Sequence, residues 1–301
     1  MRLQKLYACL ILACALVVSV RPASGQQNFD NVQIETIPVS DNVYMLVGSG
    51  GNIGVSIGDD GTFIIDDQFA PLTEKIKAAI AAITPNPVRF VMNTHWHGDH
   101  TGGNENMGNG GALIVAHDNV YERMSTEQFR DANNTTPPSP KAALPVVTFA
   151  EDVSFHINGG TIHGIHVPHA HTDGDALIHF QEANVIHMGD TFFAGRFPYI
   201  DLGSGGSIDG VISAVNRALA IVNDDTKIIP GHGPLSTPAD LRTYRDMLTK
   251  TRASIMQLVA EGKTLEDVQA AKPVADYESW GAGFINMERY VEIVYTDLSS
   301  R

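Results

Sequence analysis

Short apolar runs separated by glycine-rich breaks dominate residues 43–65. Val43 to Val47, Ile53 to Ile57 and Thr62 to Ile65 each read as a strand, with Gly48-Ser49-Gly50-Gly51-Asn52 and Gly58-Asp59-Asp60-Gly61 as the turns between them. The period then changes. Pro71 suits a first helical turn, and Leu72, Ile76, Ala79, Ile80 and Ile83 share one face, which predicts a helix from Pro71 to about Ile83. Val88 to Met92 reads as a buried strand that runs into Asn93-Thr94-His95, and a helix is expected after that segment. Residues 131–149, rich in Pro, Asn and Thr, read as a surface loop. Thr161 to Val167, Ala176 to Phe180 and Val185 to Met188 follow as strands. Ile208 to Val222 is helical in period, Lys227 to Ile229 is a short strand ending at Pro230-Gly231-His232-Gly233, and the chain from Pro238 is mostly helical. No repeat or linker interrupts this order, so one α/β domain with helices covering its sheet is the economical expectation.

The first 25 residues follow a different pattern. Arg2 and Lys5 precede an almost unbroken apolar run from Leu10 to Val20, and Ala23-Ser24-Gly25 supplies small residues before Gln26. That is the layout of a cleaved secretory leader, and the run is short for a membrane span. The rival readings are a lipoprotein signal with Cys14 as the lipidated residue and a retained N-terminal anchor. The expected division is therefore a signal peptide over residues 1–25 and one catalytic domain over residues 26–301. Cleavage removes Cys9 and Cys14, the chain's two cysteines, so no disulfide and no thiolate ligand is expected in the mature protein. It also removes Arg2, Lys5 and Arg21, leaving 17 Lys and Arg against 34 Asp and Glu. A chain this acidic is a poor fit to nucleic acid or an anionic membrane surface. The expected partner is a small-molecule substrate, and nothing in the pattern bears on oligomeric state.

The chemistry concentrates in His95-Trp96-His97-Gly98-Asp99-His100, where four metal-ligand side chains fall within six residues directly after an apolar strand. Histidines two apart in extended chain point the same way, so His95 and His97 can grip one ion together. Asp99 and His100, on the turn that follows, can face a second. Single histidines are usually structural and this chain has 12, but the His-x-His-x-Asp-His order is far narrower than a His-rich composition. On spacing alone His166, His169 and His171 compete as a further ligand. His163, His179 and His187 sit on strand-like runs, and His117 and His156 have no motif around them. Asp66 suits either of two roles, holding the second nitrogen of a ligand histidine or capping a turn.

This pattern resembles the signature of the metallo-β-lactamase superfamily, and the resemblance runs over essentially the whole mature chain. Ile64-Ile65-Asp66-Asp67, His171-Thr172-Asp173-Gly174-Asp175, Met188-Gly189-Asp190 and Pro230-Gly231-His232-Gly233 are similar to the family's other segments, in the family's order. The resemblance implies an αββα sandwich with two metal ions at one edge. His95, His97 and His171 would hold the first ion. Asp99, His100 and His232 would hold the second, with Asp190 bound to it or bridging both. An all-nitrogen-and-oxygen set suits two Zn2+, and also iron or manganese. Such a centre hydrolyses carbonyl compounds, with Asp99 orienting the attacking water or relaying its proton.

Asp190-Thr191-Phe192-Phe193, followed by Tyr199-Ile200-Asp201-Leu202-Gly203-Ser204-Gly205-Gly206, is similar to the branch of β-lactamases that carries Cys at the position of Asp190. Together with the leader, this implies a β-lactam-cleaving enzyme of the bacterial periplasm. Two departures point to weak or broad activity. Asp190 replaces that Cys, as in glyoxalase II, and Phe193 stands where the branch has the Lys that binds the antibiotic's carboxylate, a role Arg196 would have to take. The turn from Gly48 to Asn52 is also short for a flap over the substrate. The alternative within the superfamily is a thioesterase or lactonase. Against the glyoxalase II type, the final segment carries Glu266, Asp267, Asp276 and Glu278 rather than a basic region. A non-catalytic metal-binding protein is the remaining class, and it would have no need of Asp99 beside the histidines.

Overall fold

Alternating apolar residues and tight turns build the first part of the chain into a meander. The structure, a computed structural model, describes residues 28–131 and 134–301. The expected leader, with both cysteines, lies outside the described residues. Strands β1 (Glu35–Pro38), β2 (Val43–Val47), β3 (Ile53–Ser56) and β4 (Thr62–Ile65) run antiparallel, each to the next. A 3-10 turn holding Pro71 leads into α1 (Thr73–Ala81), whose Ile76 and Ile80 are buried. Strand β5 (Val88–Met92) then returns parallel to β4. Next come α2 (Gly98–Thr101), α3 (Asn104–Asn109), β6 (Leu113–His117), α4 (Asp118–Ser125), a small hairpin of β7 (Gln128–Asp131) and β8 (Asn134–Thr136), and β9 (Val147–Phe149). Strands β10 (Asp152–Ile157), β11 (Gly160–His166), β12 (Ala176–Phe180) and β13 (Val185–His187) form a second antiparallel meander. Helix α5 (Ile208–Ile221) crosses over to β14 (Lys227–Ile229), which lies parallel to β13. Helices α6 (Pro238–Ala260), α7 (Leu265–Ala270) and α8 (Met287–Ser299) complete the chain.

The strands make a seven-stranded sheet ordered β1-β2-β3-β4-β5-β6-β9 and a five-stranded sheet ordered β10-β11-β12-β13-β14. Alternate residues explain how the sheets stack. Met45, Phe63, Ile65, Met92 and Val115 of the first pack with Ile162, Ile178, Val185 and Ile229 of the second. Their in-between neighbours Leu177, Ile186 and Ile228 face the other way, onto Val211 and Val215 of α5, Leu241 and Leu248 of α6 and Val294 of α8. On the first sheet Ile64, Val91 and Ile114 are buried on the opposite face, and α3 packs on β5 and β6. The result is the αββα sandwich, formed within one compact unit, Val32–Arg301. Among the described residues no helix is long and apolar enough to cross a membrane.

Three expectations need correction. Residues 131–149 are not all loop, because Val147–Phe149 pairs parallel with β6 as a sheet edge. Val88 to Met92 is a strand but not buried throughout: Arg89 is exposed and only Val91 and Met92 are buried, since this strand lies near the solvent at its start. The single helix expected after the His-rich segment is three short helices with β6 between them. Strands β1 and β10 form no continuous apolar run: β1 has no buried residue, and β10 alternates exposed with partly buried positions up to the buried Ile157.

The parallel pairs fix the position of the chemistry. β4 and β5 end together, as do β13 and β14, and β12 starts at the end where β13 finishes. The backbone N–H of Ala176, opening β12, donates to the carbonyl of Thr94 at 2.9 Å and joins the two sheets at that rim. Phe63 is fully buried between Phe90 (centroids 5.4 Å) and Phe155 (5.0 Å) in the middle of the sandwich. Phe63→Ala is expected to cost about 3–5 kcal/mol in a urea unfolding measurement, and a loss under about 1 kcal/mol would contradict this packing.

Candidate metal centre

Strand β5 ends at Met92, the chain bends through residues 94–96, and His97 opens α2 from an extended conformation with φ −65° and ψ 147°. This carries His95 and His97 to the same side. His97 Nδ1 lies 3.1 Å from His95 Nε2 and 2.9 Å from His171 Nε2, so three imidazoles converge on one point. A second group forms beside it. Asp99 Oδ2 is 3.6 Å from His100 Nε2 and 3.3 Å from His232 Nε2. Asp190 stands between the groups. Its Oδ1 lies 3.1 Å from His100 and 3.3 Å from His232, and its Oδ2 lies 3.6 Å from His171 and 3.9 Å from His95. The ligand-capable atoms fall into two sets, His95, His97, His171 and Asp190, and Asp99, His100 and His232, each within 4.8 Å.

The far side of each ring is tied down. His97 Nε2–H donates to Asp201 Oδ2 at 2.9 Å, and His171 Nδ1–H to the Tyr199 carbonyl at 2.8 Å. His100 Nδ1–H donates to Asp66 Oδ2 at 2.7 Å. Thr94 Oγ1 gives its proton to Asp66 (2.8 Å), so the 3.0 Å contact to His95 Nδ1 is a donation from the imidazole. The His95, His97 and His171 rings therefore each present a lone pair inward, the tautomer a cation requires, and His100 does so on losing its inward proton. Asp66 fills both roles left open for it. It holds His100, and its Oδ1 accepts the Thr94 backbone N–H at 2.8 Å. Close backbone approach makes room for the site. A Cβ at Gly51 would stand 2.1 Å from the His100 ring, and one at Gly231 would stand 2.1 Å from Asp190 Oδ1.

His100 Nε2 and Asp190 Oδ1 are buried and make no hydrogen bond of acceptable geometry, although they face each other. Orphaned polar atoms inside a ring of imidazoles and carboxylates are what a cation would satisfy, and the all-nitrogen-and-oxygen donors fit a divalent transition metal. The electrostatics of the two groups differ. Burial pushes His95 well below its ordinary value, with His100 adding to the effect, and burial holds His171 down at about 4 against the pull of Asp190. In the second group burial is outweighed by carboxylates. Asp190, Asp99 and Asp66 raise His100 well above its usual range, and Asp190 and Asp99 raise His232 to about 9. Burial alone would raise Asp99, but His100 and His232 hold it down at about 2. Asp190 is likewise held well below the carboxylate range by His232 and His100, against its burial.

All seven residues singled out from the sequence come together. Of the three competing histidines, the structure brings His171 to the group. His169 is exposed, with Nδ1 on the Gly205 carbonyl, and His166 stacks on His117 at 3.7 Å. His163 faces Asp152, and His187 is buried with Nε2 on the Asn52 carbonyl at 3.0 Å. His117 caps α4 by accepting the Asn119 N–H. The rest of the third motif is a brace: Asp175 accepts from Thr172 N and Oγ1, each at 2.7 Å, and Asp173 grips Arg123 through both oxygens. Asp201 is the residue sequence reasoning passed over. Its signal, an acid opening a Leu-Gly-Ser turn whose Ser204 also binds it at 2.6 Å, is too common to single out. Arg196 is exposed, with its aliphatic stem beside Gly283.

Relatives are distant. A beta-lactamase-like protein 2 homolog from Caenorhabditis elegans is 22% identical over 72% of this chain and 68% of its own length. An atrochrysone carboxyl ACP thioesterase from Aspergillus chevalieri is 26% identical over 74% of this chain, which spans only 61% of it. Among solved structures, a metallo-beta-lactamase from Pontibacter korlensis superposes with a TM-score of 0.59 at 19% identity, covering 72% of this chain and 99% of that one. Residues 42–232, a span that contains every residue of the two converging groups, match the profile of the metallo-beta-lactamase superfamily, and the chain belongs to that superfamily of metal-dependent hydrolases.

Proposed function

We propose that this protein is a dinuclear zinc hydrolase that attacks carbonyl carbons and opens β-lactam amides with broad rather than specialised selectivity. The observation that carries the reading is Asp190. One carboxylate reaches two separate imidazole groups, Oδ1 toward His100 and His232 and Oδ2 toward His171 and His95. In this reading His95, His97 and His171 hold one cation, and Asp99, His100 and His232 hold the other. When bound, such cations polarise a substrate carbonyl and make water acidic near neutral pH. Asp99 does the chain's own proton work. Its carboxylate is partly exposed, ionised and fixed by His232, so Oδ2 accepts the proton of the attacking water, orients that water and passes the proton to the leaving group. Asp201 and Asp66 keep the rings from turning as charge shifts.

Two features support breadth. Phe193, where the cysteine-bearing lactamases have a carboxylate-binding Lys, stacks flat on His232 at 5.1 Å and 17°. The Gly48–Asn52 turn packs down on Asp99 and His100 instead of arching over a substrate. A thioesterase or lactonase is the second reading. It is favoured by Asp190 itself, in place of Cys, and by the thioesterase relative.

Zinc-loaded protein is expected to open a chromogenic cephalosporin in a chelator-sensitive way, assayed beside a lactone and a thioester. Turnover of the esters without the lactam would move the activity to the second reading, and turnover of none would leave a metal-binding protein. Asp99→Ala is expected to lose about 10²-fold or more in kcat while zinc stays in the first group, and near-full activity would remove Asp99 from the mechanism. His97→Ala should lower the zinc content to one per chain by elemental analysis, and two per chain would contradict the ligand assignment. The groups should also differ in proton release. His171, at about 4, and His95 are already neutral at pH 7, whereas His232, at about 9, and His100 carry protons that zinc must displace. Calorimetry in buffers of different ionisation enthalpy should show zinc affinity of the second group rising as pH approaches about 9, with little proton release from the first. Equal release from both groups would refute the assignment.

A further inference from the structure

Phe284 is 89% exposed, the most exposed large hydrophobic side chain among the described residues, although the segment that carries it is well anchored. On one side Phe197 N–H donates to the Trp280 carbonyl at 3.2 Å, and Trp280 stacks on the fully buried Tyr244 at 6.2 Å and 8°. On the other, Ile285 is buried and Asn286 caps α8. The phenyl ring is thus held out in water by a fixed backbone. Its neighbour is Tyr199, edge to face at 6.5 Å and 84°. The Tyr199 ring in turn lies 6.0 Å from His97 and 5.8 Å from His171, and its backbone carbonyl holds His171. A line of rings therefore runs from the first imidazole group outward to solvent, and its outer member comes from beyond residues 42–232, the span that carries the family pattern.

We propose that Tyr199 and Phe284 form a subsite for an apolar group, aromatic or acyl, attached to the acid side of the scissile carbonyl. The placement rests on the hydrolase reading above and adds the substrate class to it. A group bonded to a carbonyl held at the imidazoles has the part-buried Tyr199 ring beside it and the exposed Phe284 ring beyond. Burying a phenyl-sized group on such faces is worth about 10-fold or more in affinity.

The carboxylic acid released by hydrolysis carries the same group, so acids serve as probes without any turnover. Binding of acetate and phenylacetate to the zinc-loaded protein, measured by calorimetry, is expected to favour phenylacetate by about 10-fold in the wild type. Phe284→Ala should remove most of that preference while changing acetate affinity less than about twofold, and Phe284→Leu should retain part of it. Equal affinity for the two acids in the wild type, or an unchanged preference in Phe284→Ala, would overturn the subsite. If neither acid binds, acetate included, the dinuclear hydrolase reading fails, and the subsite fails with it.

Discussion

The buried carboxylate of Asp66 ties the site together. It sits at the end of β4 with φ +63°, a left-handed conformation that an L-residue adopts at some cost. From there Oδ1 takes the backbone N–H of Thr94, while Oδ2 takes the Thr94 hydroxyl and the His100 ring. One side chain thereby sets where the segment after β5 begins, which way His100 faces and, through the Thr94 hydroxyl, which nitrogen of His95 carries its proton. Burying this carboxylate without partners would cost several kcal/mol, and three donated hydrogen bonds offset that cost. The strained backbone at Asp66 is sustained because β4 and β5 are parallel neighbours in the middle of a seven-stranded sheet.

The two groups are built from the same residue types yet are electrostatically unlike. In the first, His95 and His171 are held neutral by burial, and in the second, His100 and His232 are held protonated by carboxylates. Asp190 belongs to both. A thiolate would have reached with one sulfur; a carboxylate reaches with two oxygens. Its two oxygens link the groups, and beside them Phe193 stacks on His232.

Much of this was legible because ligand chemistry needs particular residue types at short spacing. His95, His97, Asp99 and His100 fill four of six consecutive positions, and no helix or strand core asks for that pattern. Helices α5 and α6 were legible because they bury one face, which imposes a period on the sequence, and strands β3 and β4 because they are buried throughout and read as short runs between glycine-rich turns. What stayed hidden acts through geometry. The Tyr199 carbonyl that orients His171 has no side-chain signature, and Asp201 is one acid among 34 acidic residues. Strand β9 is three residues long and too short to carry a rhythm, whereas β10 alternates polar and apolar residues from Asp152 to Ile157, a signal that reading for continuous apolar runs passes over.

The converging residues are far apart along the chain. Residues 95 to 100 belong to the first sheet, while His171, Asp190 and His232 are all supplied by the second, His232 arriving only after α5 has crossed over and β14 has paired with β13. During synthesis the first sheet, with half of the groups in place, is complete long before the last imidazole leaves the ribosome. The full set of ligands for either group exists only after both sheets have stacked. A cation held there cross-links segments more than 130 residues apart in sequence. It would then behave as a latch on the finished sandwich rather than a nucleus for it, and would resist the separation of the two sheets that unfolding requires.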